Sequence, residues 1–412
     1  MRILYVLSGT GARGGATKSF MVMAEAAAAA GHEIAVIVPD DKGIVPVLRQ
    51  QGWEVVVTSH EFCALPQLSG TIRDMLLFIP RFFKRGWRNY KAEQRALAFA
   101  RRFKPDIVHE NTSVTGVGHY VAAKMKCPLV VHIREYGWKD FRLVLPGLSR
   151  RMRGDHTYLV AITSALAAYR GKDIDASHLR VIYNGIVQNG SFVYDEDKDD
   201  FFLFAGRIEQ AKGVDELIKS YIDYAEEQIS AGLQPLRLCL AGECRYPDFK
   251  KKLQTNLESK GLEKYVEWLG PIANISSLYE KAAATVIPSY NEGFGRVMAE
   301  ATASGSLCIV RDSGGLSEQV RNGIELTGQE IALSFKDIGE LTEELKRVTA
   351  GFSQSAPYRE RGEFYEMIMR ARDVVTELYT TDNNGIKILD YYGFIINSEK
   401  SRKSRIPLFP HC

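Results

Sequence analysis

The residues best suited to chemistry lie in short glycine-rich segments. In Phe204-Ala-Gly-Arg-Ile-Glu-Gln-Ala-Lys-Gly213, Gly206 ends a strand-like run, Arg207 follows it, and Lys212-Gly213 opens a helical run. Two cations at the carboxyl end of a strand, beside the N–H groups of a helix start, suit a diphosphate. The plainer alternative is a pair of solvated surface charges. In Asn291-Glu-Gly-Phe-Gly-Arg-Val-Met-Ala-Glu300, Glu292 lies on a glycine-rich loop and Glu300 on the helix after it. Two carboxylates at this spacing suit general acid/base work or hydrogen bonding to sugar hydroxyls, and Gly293 and Gly295 let backbone close tightly around a ligand. A helix start with acids near its positive end explains Glu292 but not Glu300. An acid inside an otherwise small, apolar helix needs a partner.

Val131-His-Ile-Arg-Glu-Tyr136 puts His132, Arg134 and Glu135 at the end of another strand, just after His109-Glu110-Asn111 ends the preceding one. His132 reads either as a group in the chemistry or as a satisfied structural histidine. The first loop, Ser8-Gly-Thr-Gly-Ala-Arg-Gly-Gly-Ala-Thr17, leads from the first strand into the first helix and could admit an anion or simply turn the chain. Gly9 and Gly11 begin a dinucleotide fingerprint, but the third glycine is misplaced and Asp40 falls beyond the end of the second strand, against an oxidoreductase. Asp173-Ile-Asp175 and Asp195-Glu-Asp197 lie in polar connecting sequence and are weak as metal ligands. From Thr71 to Lys104 the chain carries ten Lys and Arg against Asp74 and Glu93, interleaved with Phe78, Phe82, Phe83, Trp87 and Tyr90. This composition suits an anionic membrane surface or an ordinary amphipathic surface helix. An isolated patch argues against nucleic acid.

These segments need a scaffold, and the hydrophobic pattern describes one. Arg2–Leu7, Glu33–Val38, Trp53–Val57, Asp106–His109, Leu129–Ile133, Tyr158–Ile162 and Arg180–Tyr183 read as buried strands, with a helix over Lys18–Ala30. The acidic run Asp195–Asp200 reads as an inter-domain linker. Alternation then restarts with strands Phe201–Ala205, Leu236–Leu240, Tyr265–Leu269, Thr285–Ile287 and Leu307–Val310 and with helices between them, including Arg296–Ser304. Continuous apolar strands alternating with helices predict parallel sheets covered on both faces.

Length and composition bound the rest. The 412 residues exceed one ordinary core, and 45% hydrophobic with 25% charged residues excludes disorder over most of the chain. A net charge of +3 excludes a globally basic nucleic-acid binder. No apolar run reaches the ~18 residues of a spanning helix. The six cysteines are scattered without C-x-x-C spacing, so neither a zinc site nor a disulfide framework is expected. With no signal-peptide layout at Met1–Val6, a cytoplasmic setting is expected, at the inner face of the cell membrane if the basic segment binds lipid.

In this order the segments resemble a GT-B glycosyltransferase of the retaining, nucleotide-sugar-dependent family four, over Arg2 to about Ile396. The strongest block runs from Val266-Glu-Trp-Leu-Gly270 to Gly314-Gly-Leu-Ser-Glu318 and contains the family's E-x7-E element as Glu292 and Glu300, then Ala301 and Gly305. Phe204–Gly213 resembles the GR…KG element, Leu238-Cys-Leu-Ala-Gly242 the next strand and its glycine, Val181-Ile-Tyr-Asn-Gly-Ile186 the segment closing the first domain, and Gly14-Gly15-Ala16 the first glycine loop.

The resemblance implies two Rossmann-like α/β domains facing each other across a cleft. Residues 1–187 would bind acceptor, 188–382 the nucleotide-sugar donor, a helix over 383–398 would cross back to the first domain, and 399–412 would form a basic, disordered tail. It implies Arg207 and Lys212 on the donor diphosphate, and Glu300 on the ribose. Glu292 with the N–H groups of Phe294 and Gly295 would hold the donor sugar, and Gly14, Gly15, Gly206, Gly242 and Gly293 would line the donor. Many relatives carry a histidine where this chain has Arg134 followed by Glu135, which leaves His132, Arg134 and Glu135 as joint acceptor-side candidates. The implied function is transfer of a sugar, with retention, from a nucleotide diphosphate sugar to a hydroxyl acceptor such as a lipid-linked or cell-surface glycan precursor, with neither metal nor cofactor. A nucleotide-sugar epimerase of the same fold and a non-catalytic nucleotide-sugar-binding protein remain as alternatives.

Overall fold

The computed structural model describes all residues except 13, 67–71, 139–142, 172–173, 354–361 and 406–412. Its contacts divide the chain into two units. One comprises Met1–Gly185 together with Thr381 and the residues after it, and the other Ile186–Thr380.

Among its described residues the first unit holds seven strands: β1 (Arg2–Val6), β2 (Glu33–Val38), β3 (Glu54–Val57), β4 (Ile107–Glu110), β5 (Leu129–Ile133), β6 (Thr157–Ala161) and β7 (Leu179–Val181). They pair in the order β3-β2-β1-β4-β5-β6-β7, all parallel. β5 and β6 are buried at every position, as sequence runs such as Leu-Val-Val-His-Ile require when helices cover both faces. Ile3, Tyr5, Phe20, Val36, Val130, Tyr158, Tyr392 and Ile395 share one core.

The second unit holds β8 (Asp199–Ala205), β9 (Arg237–Ala241), β10 (Val266–Gly270), β11 (Ala282–Ile287), β12 (Cys308–Arg311) and β13 (Leu333–Phe335). Their order is β10-β9-β8-β11-β12-β13, again parallel throughout. Phe202, Tyr221, Leu238, Val286, Ile309, Leu345 and Ile368 lie in its core. In each sheet the chain winds outward in one direction, then returns to the middle and winds in the other. The reversal falls between β1 and β4 in one unit and between β8 and β11 in the other. Loops leaving the carboxyl ends of two strands that diverge in this way open a crevice, and ligands of open α/β sheets bind there.

Two expectations are corrected. The acidic run Asp195–Asp200 is not a connector between domains. Asp199 and Asp200 open β8, and Asp195 pairs with Lys281 at 2.7 Å inside the second unit. The basic residues from 399 are not all tail, since the last helix spans Thr381–Arg405. Glu399 anchors this extension. The residue is 6% exposed, and its carboxylate accepts a hydrogen bond from the Tyr158 hydroxyl at 2.8 Å and lies 2.7 Å from His156 Nδ1. The part of the expected tail from 406 to 412 lies outside the described residues, as does Asp173 of the first Asp-x-Asp.

Candidate donor site

The loops after β8 and β11 carry the cations and the first acid. Lys212 and Glu292, far apart in sequence, meet at 2.5 Å between Nζ and Oε1, both partly buried. Close backbone approach brings their loops together. Gly213 has φ +69°, and a Cβ there would stand 2.1 Å from the Pro288 carbonyl oxygen, so only glycine lets the turn after Lys212 lie against the end of β11. The Tyr290 N–H donates to the Ala211 carbonyl at 3.4 Å. Arg207, on the loop that leads from β8 to Lys212, pairs with Glu209 at 3.0 Å and keeps 38% of its side chain exposed. A Cβ on Gly242, at the end of β9, would fall 1.6 Å from the Gly206 carbonyl oxygen, so the β8 and β9 loops also touch through glycine.

The segment from Glu292 to Gly295 is held from behind by the helix Gly314–Thr327. The Gly315 N–H donates to the Glu292 carbonyl at 2.8 Å, and Gln319 Nε2 donates to the Phe294 carbonyl at 2.5 Å and the Gly295 carbonyl at 3.1 Å. The Phe294 ring is buried edge-on against Tyr379. Gly295 is the N-cap of the helix Arg296–Ala303, and Gly293 lies in the turn before it. Glu300 has the partner that its place on that helix demands, Arg296 one turn earlier at 3.1 Å. Arg207, Lys212, Glu292, Glu300, Gly206, Gly242, Gly293, Phe294 and Gly295 thus all belong to the second unit.

Sequence reasoning missed Arg311, the last residue of β12. Its guanidinium lies between the rings of Tyr290 (4.7 Å) and Phe335 (5.0 Å). It donates to the carbonyls of Pro288 (2.9 Å) and Lys336 (3.0 Å) and pairs with Glu216. Glu216 lies in the first turn of the helix Val214–Ser230, directly behind Lys212-Gly213, and Pro288 begins the loop that carries Glu292. One side chain therefore ties both halves of the Lys212–Glu292 pair to the sheet. Burial, then the nearby Asp215 and Glu216, pushes the Tyr290 hydroxyl up to about 12. An arginine closing the apolar run Cys-Ile-Val was the available signal, since a charge there needs a buried partner.

The other candidates lie in the first unit. Gly14 is the N-cap of the helix Gly15–Ala29, without a capping side chain. Asn111, just after β4, donates to the Ala16 carbonyl at 3.0 Å and so ties that helix start to the β4 loop. Arg134 donates to the Asn111 carbonyl (2.9 Å) and to the side-chain oxygens of Asn111 (3.1 Å) and Asn184 (2.7 Å). Glu135 accepts from the Ser113 N–H (2.9 Å) and hydroxyl (3.0 Å), so it fixes the β4 loop. His132 is buried and stacked on His109, with the two rings sharing a hydrogen bond at 3.2 Å. His109 in turn shares one with Tyr392 of the last helix, and Tyr392 one with Tyr5 of β1 at 3.1 Å. Burial, then Arg134 and His109, holds the His132 pKa well below its ordinary value, so the ring is neutral. Among the described residues its Nε2 has no hydrogen-bond partner.

No three His, Cys, Asp or Glu side chains are grouped to hold a metal ion among the described residues. Chemically, the second unit offers an anion two cations and a helix start at a sheet reversal, with a carboxylate beside them to accept from hydroxyls.

Comparison with known proteins covers both units. The model of the Glycosyl transferase 4-like domain matches residues 14–185, and that of Glycosyl transferases group 1 matches residues 191–361. The O-antigen chain mannosyltransferase RfbU of Salmonella typhimurium is 28% identical over 185 residues, 44% of this chain and 49% of that protein. A D-inositol 3-phosphate glycosyltransferase of Corynebacterium aurimucosum is 33% identical over 124 residues, 29% of this chain and 28% of that protein. The chain therefore spans half or less of the length of these curated relatives. Among solved structures, HepE of Anabaena in complex with UDP and glucose superimposes with a TM-score of 0.70 at 18% identity, over 95% of this chain and 99% of that one. That likeness carries the fold: the two parallel-sheet domains are those of GT-B proteins.

Proposed function

This chain belongs to the group 1 glycosyltransferases, and on that premise we propose that it moves a sugar from a nucleotide diphosphate sugar to a hydroxyl acceptor, retaining the anomeric configuration. The observation that carries the reading is the Lys212–Glu292 contact at the β8/β11 reversal, with Arg207 on the adjoining turn. Breaking the bond between sugar and diphosphate builds positive charge at the anomeric carbon and negative charge on the departing phosphate. Preorganised cations aimed at that phosphate lower the barrier. Arg207 and Lys212 take this role, and Lys212 exchanges part of its contact with Glu292 for phosphate oxygens. Glu292 and the N–H groups of Phe294 and Gly295 receive the sugar hydroxyls, and Glu300 receives the ribose hydroxyls.

The acceptor hydroxyl attacks from the face that the diphosphate leaves, with a phosphate oxygen taking its proton. This route asks for no protein nucleophile. We place the acceptor on a lipid-linked glycan precursor at the inner membrane face. The O-antigen mannosyltransferase among the relatives supports this, and so does the basic aromatic segment.

A panel of nucleotide sugars, uridine sugars first because HepE was solved with UDP, tests the reading by nucleoside diphosphate release. Arg207→Ala is expected to lower turnover ~100-fold with the fold intact. Turnover within a few-fold of the parent would remove Arg207 from the role. Conversion of the donor sugar without release of nucleoside diphosphate would indicate an epimerase.

A further inference from the structure

The helix Ile72–Phe103 is built in two parts. From Ala92 onward its inner face is ordinary core, with Ala92, Ala96, Leu97, Phe99, Ala100 and Phe103 buried. Before that the usual arrangement is inverted. The polar side faces the protein: Arg85 donates to the Ala64 carbonyl at 2.5 Å and pairs with Glu61 at 3.2 Å. Arg88 reaches the same carboxylate at 2.5 Å, and Asn89 accepts the Glu61 N–H at 2.7 Å. The apolar side faces water. Ile72, Leu76 and Phe83 are 78%, 73% and 69% exposed, and Met75, Ile79, Phe82, Trp87 and Tyr90 lie open beside them. At ~100° per residue these positions form a single stripe, and Arg73, Lys84 and Lys91 line one border of it. Lys91 Nζ lies 5.0 Å over the Trp87 ring, its stem along the aromatic surface and its charge at the rim. A continuous apolar stripe on the surface of a folded unit marks an interaction site.

We propose that residues 72–91 lie in the plane of an anionic phospholipid bilayer, with the stripe sunk among the acyl chains and Arg73, Lys84 and Lys91 against lipid phosphates. Charge selects this occupant. Arg85 and Arg88 are taken up by Glu61, which leaves Arg73, Arg81, Lys84 and Lys91 against the single acid Asp74 of the segment, so a second copy would set like charges together, whereas an anionic surface complements them. No described helix is long and apolar enough to cross a membrane. The inference deepens the proposed lipid-linked acceptor and rests on that reading for its purpose, but lipid binding is measured without catalysis.

The full chain is sedimented with vesicles containing phosphatidylglycerol and with vesicles of phosphatidylcholine alone. Binding to the anionic vesicles is expected to be at least ~10-fold tighter and to weaken with salt. Lys84→Gln with Lys91→Gln is expected to erase most of that preference. Leu76→Glu with Phe83→Glu is expected to abolish sedimentation on both vesicles, while the unfolding temperature and the thermal shift given by a nucleotide sugar stay unchanged, because both side chains are exposed. Lys212→Ala should leave sedimentation intact. If the Leu76/Phe83 variant still sediments, the proposal fails. If light scattering shows a dimer that this variant dissociates, the stripe belongs to a second copy instead.

Discussion

Arg311 shows how much of the candidate site depends on one side chain that touches neither donor nor acceptor in the proposed reaction. Its planar fork joins the Pro288 carbonyl, the Lys336 carbonyl and Glu216, and two rings close over its faces. Arg311→Ala leaves Glu216 without its cation, two carbonyls without a donor and a gap between Tyr290 and Phe335. Breaking such a pair is expected to cost ~3–5 kcal/mol in urea unfolding. Arg311→Lys keeps the charge but not the fork. It should recover most of the stability while the donor KM stays raised, because the loops bearing Lys212 and Glu292 are no longer held from both sides. Equal recovery of stability and donor KM would reduce Arg311 to a structural residue. Glu292, Glu300, Arg207 and Lys212 are legible in the sequence because glycines and strand ends surround them. Arg311 is marked only as a charge closing an apolar run, and nothing local says which distant groups would clamp it.

At the scale of elements, buried parallel strands announce themselves as unbroken apolar runs, and β2 and β5 fall where the sequence places them. β13 was missed because Leu333–Phe335 has only three residues, one of them an exposed serine, too few to set a period. The last helix runs past the expected end at 398, although its final turns look polar and basic. Glu399 supplies the reason they continue: a buried carboxylate held by Tyr158 of β6 and by His156 just before that strand. Glu399→Ala is expected to cost ~1–3 kcal/mol by leaving the Tyr158 hydroxyl unpaired in a buried place. Hydrogen exchange should then show faster opening of the turns after Ile396. Unchanged protection there would mean that the carboxylate does not hold the helix end.

At the scale of the whole chain, the buried histidines couple stability to pH. His109 is pushed down to about 3, first by burial and then by Arg134, and His132 is lowered by the same causes together with its neighbour. Tyr392, Tyr5 and Arg134 surround the pair and supply no negative charge. The unfolded chain therefore binds more protons than the folded one between pH ~6.5 and ~3. Folding free energy is full above that range and falls as pH drops through it. The loss is expected to reach a few kcal/mol near pH 4, at ~1.4 kcal/mol per unit of displacement. Replacing His109 with Gln should flatten the denaturation profile over pH 4–6.5, and a variant that keeps the parent's slope would acquit His109.

Local order along the chain was enough to indicate alternating strands and helices in two α/β halves and the placing of cations and acids in or beside glycine loops, since each depends on neighbours in sequence. Non-local packing alone could assign Lys212 to Glu292, make His132 neutral, turn the acidic run into the start of a strand and point the stripe of Ile72–Tyr90 outward. Pairing, desolvation and the choice of which helix face is covered are properties of residues brought together from distant parts of the chain.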